Sequence, residues 1–363
     1  MGRMRVLIAP DKFKGTLSAE EAAAAMAEGV LAVYPEAQVT AVPVADGGEG
    51  TLEAALAAGA VPHTARVRGP LDTEVTAVWA LRGDGTAVIE TARASGLMLV
   101  EPTVQTALAA TSHGSGELIR AALDAGAREI VLGIGGSAMT DGGSGALRAL
   151  GLRILDADGA PVPDGGAGLA LAAAVDAAGL DPRLGQVRLR IAADVTHVFA
   201  AQKGAGAAAR DLLDDALGNW ARLLLEATGH DVDVPGAGAA GGFPSAFLAF
   251  TDATLEPGFD LISGLTGLAA ALDSADLVLT GEGSLDEQST YGKAPLQVAR
   301  RAAARGLPVV AVAGRITLTP QQLQDYGIVA AVSLLDLVRE PAEAMAQAAR
   351  WLTWGTRQAL EGA

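Results

Sequence analysis

The sequence predicts an α/β protein with two domains. Half of its 363 residues are apolar, which is more than a single compact core usually absorbs. Alanine, valine and leucine dominate the apolar set and aromatic residues make up only 4%, a balance typical of helices packed on buried parallel strands. Short apolar runs alternate with helical segments along the chain, as in βα units.

Each predicted strand is a short, continuous apolar run, and most of the runs precede a segment with helical periodicity. The runs occupy residues 5–10, 39–44, 86–90, 129–135, 189–194, 277–281, 309–314 and 328–335. Helix starts are indicated at Ser18, Thr51 and Ser115. Two glycine-rich stretches are predicted as loops: 156–185, around a short helix, and 235–245, as a mobile loop.

The composition excludes several classes of function. Twenty-six basic residues against 42 acidic ones give a net charge of -16, which repels nucleic acid and anionic lipid. There is no cysteine, so disulfides, thiolate metal sites and a cysteine nucleophile are excluded. The N-terminus lacks a signal-peptide pattern and no apolar run reaches membrane-spanning length. We therefore expect a cytoplasmic protein that binds neither nucleic acid nor membranes.

The segment GIGGSAMTDGG at 133–143 follows a predicted strand, and its first half fits the pattern G-x-G-x-x-A. With Asp156 at the end of the next apolar run, this pattern could be the fingerprint of an NAD-dependent dehydrogenase. However, the helix is predicted to begin only after Asp141, later than in a dinucleotide fold. The dinucleotide interpretation is therefore an alternative and not the favoured one.

The favoured interpretation of the same segment is a cradle for an anion. Glycines allow successive backbone N–H groups to converge on an oxyanion, and the following helix N-terminus adds partial positive charge. The predicted donors are Gly135, Gly136 and Ser137. A tight strand-to-helix turn with no ligand explains these residues equally well.

Lysines follow the first predicted strand. In DKFKG, Lys12 and Lys14 lie at the strand end, where ligands of open α/β sheets usually bind. In so acidic a chain they are candidates to hold a phosphate or a carboxylate. The alternative is an ordinary solvated loop.

The segment TGEGSLDEQSTYGK also follows a predicted strand. Gly281 and Gly283 permit close approach of the backbone to a ligand, and Glu282 and Asp286 are hard oxygen ligands suited to magnesium. Lys293 could contact a phosphate as a point charge. A surface loop with ordinary charges is the alternative for this segment alone.

Phosphoryl transfer needs carboxylates to hold metal and accept a proton, together with cations or N–H groups that bind phosphate oxygens. The sequence supplies both, without a Walker A motif. Arg93 could form a bidentate pair with a substrate carboxylate, although a surface arginine is the commoner outcome. Carboxylates that directly follow predicted strands are Asp46, Glu49, Asp141, Asp194, Glu282 and Asp286.

Several blocks together resemble the type I, or bacterial, glycerate kinases, in family order from about residue 7 to 315. They are IAPDKFKGTLSA, VPVADGGEGT, GIGGSAMTDGGSGALRALG, VFAAQKGA, PGAGAAGG and LTGEGSLDEQSTYGKAP. The resemblance implies transfer of the γ-phosphoryl group of ATP to D-glycerate with Mg²⁺, giving 2-phosphoglycerate. It also implies a Rossmann-like domain from both chain ends (1–65 and 255–363), an inserted α/β domain (66–254) and an active site in the cleft between them.

The resemblance also implies roles for particular residues. Asp194 in AADVTHVF matches the family's general base. For the mechanism we expect Arg93, Lys203 and the DGG residues Asp46, Gly47 and Gly48 to hold glycerate, with contact of Lys203 to a phosphate as the alternative. Lys12, Lys14 and Lys293 would bind the triphosphate. Family members continue from the base through Asn-Pro-Leu and a glycine-rich loop, and this chain lacks roughly ten of those residues. A non-catalytic ligand-binding relative is therefore a further alternative, and a homodimer is an open expectation.

Overall fold

The structure is a computed structural model that describes residues 3–193, 207–338 and 340–362. It divides into two compact units. Unit 1 takes the described residues of Met1–Asp46, Glu53–Gly59 and Phe259–Ala363, and unit 2 takes those of Gly47–Leu52 and Ala60–Gly258. Among the described residues, no helix is long and apolar enough to cross a membrane.

The strands are numbered in chain order. They are β1 (Arg5–Ile8), β2 (Gln38–Ala41), β3 (Val61–Arg68), β4 (Glu74–Leu81), β5 (Thr86–Glu90), β6 (Glu129–Gly133), β7 (Arg153–Leu155), β8 (Ala174–Asp176), β9 (Arg188–Ala192), β10 (Thr254–Glu256), β11 (Leu277–Thr280), β12 (Ser284–Leu285), β13 (Val309–Ala313), β14 (Arg315–Ile316) and β15 (Ile328–Ser333). Each of the eight predicted apolar runs overlaps one of these strands, so those strand predictions are confirmed.

The α-helices are numbered in the same way. They are α1 (Ala19–Val33), α2 (Thr51–Ala57), α3 (Ala92–Ser95), α4 (Val104–Ala109), α5 (His113–Asp124), α6 (Ser144–Ala149), α7 (Ala207–Thr228), α8 (Ala239–Phe250), α9 (Gly258–Thr266), α10 (Leu268–Asp273), α11 (Ala294–Ala303), α12 (Pro320–Asp325), α13 (Pro341–Ala346) and α14 (Ala348–Glu361). Short 3₁₀ turns occupy Leu97–Leu99, Gly166–Leu171, Pro182–Gly185, Glu287–Tyr291 and Leu334–Asp336.

Unit 1 is built on a five-stranded parallel sheet in the order β15-β13-β11-β1-β2, with strands from both ends of the chain side by side. Alternate residues of β1 enter two different cores. Val6 and Ile8 pack in a cluster that includes Met26 of α1, whereas Leu7 packs in a cluster that includes Val298 of α11. The sheet is therefore covered on both faces, as its apolar strands require.

The strand order of unit 1 reverses at β1. The chain places β2 on one side of β1 and its next strand of this sheet, β11, on the other side. Connections that leave two adjacent parallel strands in opposite directions open a crevice beyond their carboxyl ends, and this is where ligands bind in such sheets. The fold therefore marks the loops after β1 and β11 as the candidate ligand site of unit 1.

Helix α1 begins where Ser18 predicts. Glu21 N–H donates to Ser18 Oγ (3.1 Å), and Ser18 N–H donates to Glu21 Oε2 (2.8 Å), which is a complete capping box. This cap fixes the end of the β1–α1 loop. Further along α1, a Cβ on Gly29 would lie 2.6 Å from Thr353 O of α14, so the two helices pack with their backbones in close contact.

Unit 2 has a six-stranded sheet in the order β10-β9-β6-β5-β4-β3. Strands β5, β6, β9 and β10 are parallel, and β3 and β4 add an antiparallel edge. Neither β3 nor β4 was predicted: the residues of β3 are largely exposed and include several polar ones, and β4 includes the polar residues Glu74 and Thr76 before the apolar run AVWAL at 77–81. The carboxyl ends of the four parallel strands lie at one edge of the sheet.

The prediction that a helix starts at Ser115 is wrong by two residues. Helix α5 begins at His113, and Ser115 lies inside its buried first turn. Its hydroxyl is placed to donate to Ser95 Oγ (2.9 Å), with Thr91 O at 3.3 Å. The serine that suggests a cap in the sequence therefore forms hydrogen bonds within the core.

The 235–245 segment is not a mobile loop, because it is largely buried and its later part forms the start of α8. Ala240, Gly241 and Gly242 have positive φ angles, which turn the chain sharply before the helix. A Cβ on Gly241 would overlap Met139 O, and Gly142 N–H donates to Gly241 O (3.0 Å). The segment therefore fixes the conformation of the turn at 139–143.

We expect Gly241→Ala to destabilise the protein by about 3 kcal/mol or more, because the new methyl group meets backbone atoms and the left-handed conformation is strained. Gly229→Ala is the matched control, since Gly229 has a similar φ of +77° but nothing lies within 4 Å of its Cβ position. The control should lose only about 1 kcal/mol. Urea unfolding of both variants tests this, and equal losses would contradict the close packing.

Candidate active site

The loops after β1 and β11 are held together by hydrogen bonds at the switch point of unit 1. Ala9 N–H donates to Leu279 O (2.8 Å), and Asp11 N–H donates to Gly281 O (2.9 Å). Thr280 Oγ1 donates to Ala9 O (2.8 Å). These bonds extend the pairing of the two strands into the loops and bring the DKFKG and TGEG segments side by side, as a shared ligand site requires.

The lysine-bearing loop is a tight turn. Phe13 N–H donates to Leu17 O (2.9 Å), and Leu17 N–H donates to Phe13 O (3.0 Å). Gly15 lies at the turn with φ +80°. Lys14 is exposed there, and its backbone nitrogen lies 3.4 Å from the Cβ position of Gly283. The turn therefore presents Lys14 next to the glycine-rich loop after β11.

The two glycines of that loop have different surroundings. A Cβ on Gly281 would overlap Val312 O of the neighbouring strand β13, so this glycine is required for packing within the sheet. The Cβ position of Gly283 is only in ordinary contact with Phe13 and Lys14. Of the two, Gly283 is the better candidate for contact with a ligand.

Glu282 and Lys293 bind each other in the structure. Glu282 is 6% exposed and accepts hydrogen bonds from Ser289 Oγ (2.7 Å) and Lys293 Nζ (3.3 Å). Burial raises the pKa of Glu282 above its ordinary value, while Ser289 and Lys293 oppose this increase. A predicted metal ligand and a predicted phosphate-binding cation are thus brought together at the N-terminus of α11.

Asp286 caps the 3₁₀ turn that follows it. Its carboxylate accepts hydrogen bonds from Gln288 N–H (2.9 Å) and Ser284 Oγ (3.0 Å), one on each oxygen. In the described part of the chain, no group of three or more histidine, aspartate or glutamate side chains is arranged to hold a metal ion. Metal binding by Glu282 and Asp286 therefore stays a prediction.

Asp11 is a candidate that the sequence analysis missed. It is 6% exposed, and one carboxylate oxygen accepts the N–H of Lys12 at 2.7 Å. Burial, with smaller contributions from Asp46 and Glu282, raises the pKa of Asp11 to about 7, against the opposing charge of Lys12. Asp11 directly follows the predicted apolar run at 5–10, which was the available signal for it in the sequence.

These carboxylates are suited to a site that binds a cation together with its ligand. A buried carboxylate without full compensation is unfavourable, and the charges of Asp46 and Glu282 add to the burial that raises the pKa of Asp11. A divalent cation would relieve this repulsion, and oxygen ligands of this type are the ones magnesium prefers. The side chains at the switch point thus have chemistry suited to magnesium.

In unit 2, glycines bring two predicted segments into backbone contact. A Cβ on Gly135 would lie 2.6 Å from Gly48 Cα, and one on Gly133 would lie 3.0 Å from Gly47 O. Gly47, with φ +86°, also lies against Ala192, the last residue of β9. The DGG loop and the GIGG segment therefore meet at the carboxyl edge of this sheet.

The remaining cradle residues run beside α3. Leu97 N–H donates to Gly136 O (2.8 Å), Ala138 N–H donates to Ser95 O (2.9 Å), and Ser137 forms a bridge with Gly96. The segment is thus anchored to the helix that carries Arg93. Anion binding by Gly135, Gly136 and Ser137 stays a prediction.

Arg93 is 36% exposed, and its Nε donates to Glu90 Oε2 at 2.9 Å. Glu90 ends β5 and is buried. The structure thus places Arg93 at the carboxyl edge of the unit 2 sheet, in a salt bridge with a strand-end carboxylate.

The predicted base Asp194 and the predicted substrate ligand Lys203 lie outside the described residues.

The geometry does not support the dinucleotide interpretation. Helix α6 begins at Ser144, after a second glycine pair. Asp156, the proposed ribose ligand, instead accepts hydrogen bonds from Asp158 N–H and Ala160 N–H (both 2.9 Å) and stabilises its own turn.

Asp141 is fully buried and accepts hydrogen bonds from Ser112 N–H (2.8 Å) and Gly145 N–H (3.2 Å), which indicates a structural role in this loop.

We expect Asp11→Asn to make the protein more stable above pH 7. Between about pH 4 and pH 7 the folded state keeps a proton that the unfolded state releases, so Asp11 lowers the stability as pH rises through this window. Removing the carboxylate should gain on the order of 1–4 kcal/mol above pH 7 and little near pH 4. Urea unfolding from pH 4 to pH 8 measures the difference.

Asp276→Asn is the control of opposite sign for that experiment. Hydrogen bonds from Arg5 lower the pKa of the exposed Asp276 to about 2, so its loss should reduce stability at neutral pH. If the difference between Asp11→Asn and the unmodified protein did not change with pH, a raised pKa at Asp11 would be contradicted.

Comparison with known proteins relates this chain to the glycerate kinases. The model of the glycerate kinase family matches residues 6–361. A glycerate 2-kinase of Escherichia coli K12 is 44% identical over 346 residues, covering 92% of this chain and 91% of its own length. A glycerate kinase of Bacillus subtilis 168 is 42% identical, with 96% of each chain covered.

A similarity in three dimensions accompanies the similarity in sequence. A crystal structure assigned as glycerate kinase 2 from Salmonella typhimurium LT2 superimposes with a TM-score of 0.87 at 38% identity. The match covers 99% of this chain and 98% of that one. The chain belongs to the glycerate kinase family.

Proposed function

We propose that this protein is a type I glycerate kinase that transfers the γ-phosphoryl group of ATP to D-glycerate in the presence of Mg²⁺, with 2-phosphoglycerate as the product. The observation that carries the proposal is the arrangement at the β1/β11 switch point. There the lysine turn of DKFKG lies against Gly283, and Lys293 contacts Glu282 beside the buried Asp11. The sequence predictions of a cytoplasmic location and a homodimer are retained.

The triphosphate is assigned to the cations of unit 1. Lys12, Lys14 and Lys293 replace the single lysine and glycine-rich loop of a Walker A motif. Lys293 Nζ is 3.3 Å from Glu282 Oε2, so phosphate oxygens would compete with that carboxylate for the lysine. Gly283 permits close approach of the loop backbone to a phosphate, whereas Gly281 is required for packing against Val312.

Magnesium is assigned to Glu282 and Asp286, with the buried charge of Asp11 nearby. When bound, the ion would shield the charge of the phosphate oxygens. Glu282 supplies a carboxylate whose burial is unfavourable without a cation. Asp286 would have to exchange at least one of its two capping hydrogen bonds, so its contribution is the weaker of the two.

The acid substrate is assigned to unit 2. Arg93 and Lys203 would bind the glycerate carboxylate, with Asp46, Gly47 and Gly48 contributing the polar loop next to it. Gly135, Gly136 and Ser137 would donate N–H groups to phosphate oxygens. The backbone contact of Gly48 with Gly135 supports placing these two segments in one site.

Asp194 is the proposed general base. The described chain of unit 2 reaches Ala193 at the carboxyl end of β9, where Ala193 N–H donates to Glu256 O (2.9 Å). An alcohol is too weak an acid to ionise early, so the carboxylate orients the hydroxyl and accepts its proton as the bond between oxygen and phosphorus forms. The leaving group is ADP.

A coupled ADP-release assay over a panel of small hydroxy acids tests the proposal, and phosphorus NMR identifies the phosphorylated hydroxyl. We expect D-glycerate to be the best substrate and 2-phosphoglycerate the product. Binding of ATP or glycerate without ADP release would make the protein a non-catalytic relative. Binding of NAD with hydride transfer would support the dehydrogenase alternative.

We expect Asp194→Asn to fold normally and to lower kcat by about 10²–10⁴-fold, because the proton acceptor is lost while substrate binding is retained. Asp158→Asn is the control, since Asp158 is an exposed aspartate in a turn of the same unit. Steady-state kinetics and thermal unfolding of both variants provide the test. A near-normal kcat in Asp194→Asn would remove this residue as the base.

A further inference from the structure

Glu90 is a buried carboxylate to which the mechanism above gives no role. It is the last residue of β5, is 3% exposed and pairs in register with Gly133 of the neighbouring strand β6. Burial of a carboxylate is unfavourable unless hydrogen bonds compensate for the lost water. The partners of Glu90 therefore indicate why a carboxylate lies at this strand end.

One oxygen of Glu90 caps helix α2. Oε1 accepts the N–H groups of Gly50 and Leu52, both at 2.9 Å. The first N–H groups of a helix have no partner within the helix, and a negative charge at this end is stabilising. The hydroxyl of Thr51 is buried and makes no hydrogen bond to a described residue. The cap predicted at Thr51 is thus supplied by Glu90, which lies 38 residues after Leu52 in the chain.

The same hydrogen bonds fix the DGG loop. Gly50 has φ +103°, so the loop reaches the helix through a conformation that favours glycine. A Cβ on Gly47 would lie 2.6 Å from the Ala192 side chain, and one on Gly135 would lie 2.6 Å from Gly48 Cα, so these preceding residues are tightly packed. A displacement of Gly50 would therefore shift the loop that is proposed to contact the substrate.

The other oxygen of Glu90 orients Arg93. Oε2 accepts the Nε hydrogen of Arg93 at 2.9 Å, and Arg93 is 36% exposed. A guanidinium is planar, so a hydrogen bond at Nε restricts the plane of the whole group. The direction in which the terminal nitrogens can form a fork with a carboxylate is then set by Glu90.

We propose that Glu90 is a positioning residue for the acid substrate, because one buried carboxylate holds both the DGG loop and Arg93 in the orientation that binds glycerate. The inference rests on the proposed function and extends it to a residue that touches neither substrate nor nucleotide. Glu90 acts through two separate groups at once. Its loss should therefore affect recognition of glycerate more than recognition of ATP.

Glu90→Gln is the direct test, because glutamine has the same shape but only one acceptor oxygen. If that oxygen accepts the N–H groups of Gly50 and Leu52, the amide NH₂ faces the Arg93 Nε hydrogen, and the reverse orientation loses the helix cap. We expect KM for glycerate to rise about tenfold or more, and KM for ATP to change less than about twofold.

Arg93→Lys tests the hydrogen bond between Glu90 and Arg93 separately from the cap that Glu90 supplies to helix α2. Lysine keeps the positive charge but lacks the planar group that Glu90 orients, so KM for glycerate should rise by a similar factor. In the double variant the increase should be smaller than the product of the two single increases, because both changes act on one interaction. If Glu90→Gln does not fold, Arg93→Lys still tests the inference, and an unchanged KM for glycerate would overturn it.

Asp164→Asn is the matched control. Asp164 is a half-buried carboxylate of the same unit that also accepts hydrogen bonds from two donors, Arg68 NH2 (2.8 Å) and Arg148 NH1 (2.5 Å). Its loss should lower thermal stability without a selective change in KM for glycerate. A merely structural Glu90 would behave in the same way.

The outcomes separate this inference from the proposed function. ADP release by the unmodified protein with glycerate, together with an unchanged KM for glycerate in folded Glu90→Gln, overturns the role of Glu90 and leaves the kinase assignment intact. Absence of ADP release by the unmodified protein overturns the kinase assignment and the inference that rests on it. A selective, non-additive rise in KM for glycerate supports both.

Discussion

Compensation of buried carboxylates is the constraint on which the candidate site depends. The protein carries a net charge of -16, yet it buries Asp11, Glu90, Asp141 and Glu282 in or near the loops at strand ends. Each accepts hydrogen bonds from backbone N–H groups or from basic or hydroxyl side chains. Because water is excluded from them, their partners determine the conformations of the loops.

The compensation differs between the two units. In unit 2, Asp141 and Glu90 are held by multiple short hydrogen bonds, mostly from backbone N–H groups, and these fix the turns around them. Among the described residues of unit 1, Asp11 accepts a single backbone hydrogen bond and Glu282 accepts hydrogen bonds from two side chains, so fewer donors balance their charges. The strand ends of unit 2 are therefore suited to holding groups in a fixed position, and those of unit 1 to binding a cationic group.

Much of the fold could be predicted from the sequence because the parallel strands are short, continuous apolar runs. The antiparallel strand β3 could not, since its exposed face interrupts the apolar pattern, whereas the apolar run 77–81 of its partner β4 was overlooked. Segments of the candidate site could be predicted where charged residues and glycines occur close together in the sequence, as in DKFKG and TGEG. Asp11 and Glu90 were missed because burial and distant partners, such as Gly50 for Glu90, cannot be recognised in a linear pattern.

The use of both chain ends in one sheet has a consequence for biosynthesis. On the ribosome, β1 and β2 emerge early, but β11, β13 and β15 are made only after residue 276. Until then β1 lacks its central neighbour, and its apolar edge can pair with other chains. The nascent N-terminal segment must therefore be shielded from aggregation for most of translation, whereas the sheet that begins at β3 is complete once β10 has emerged.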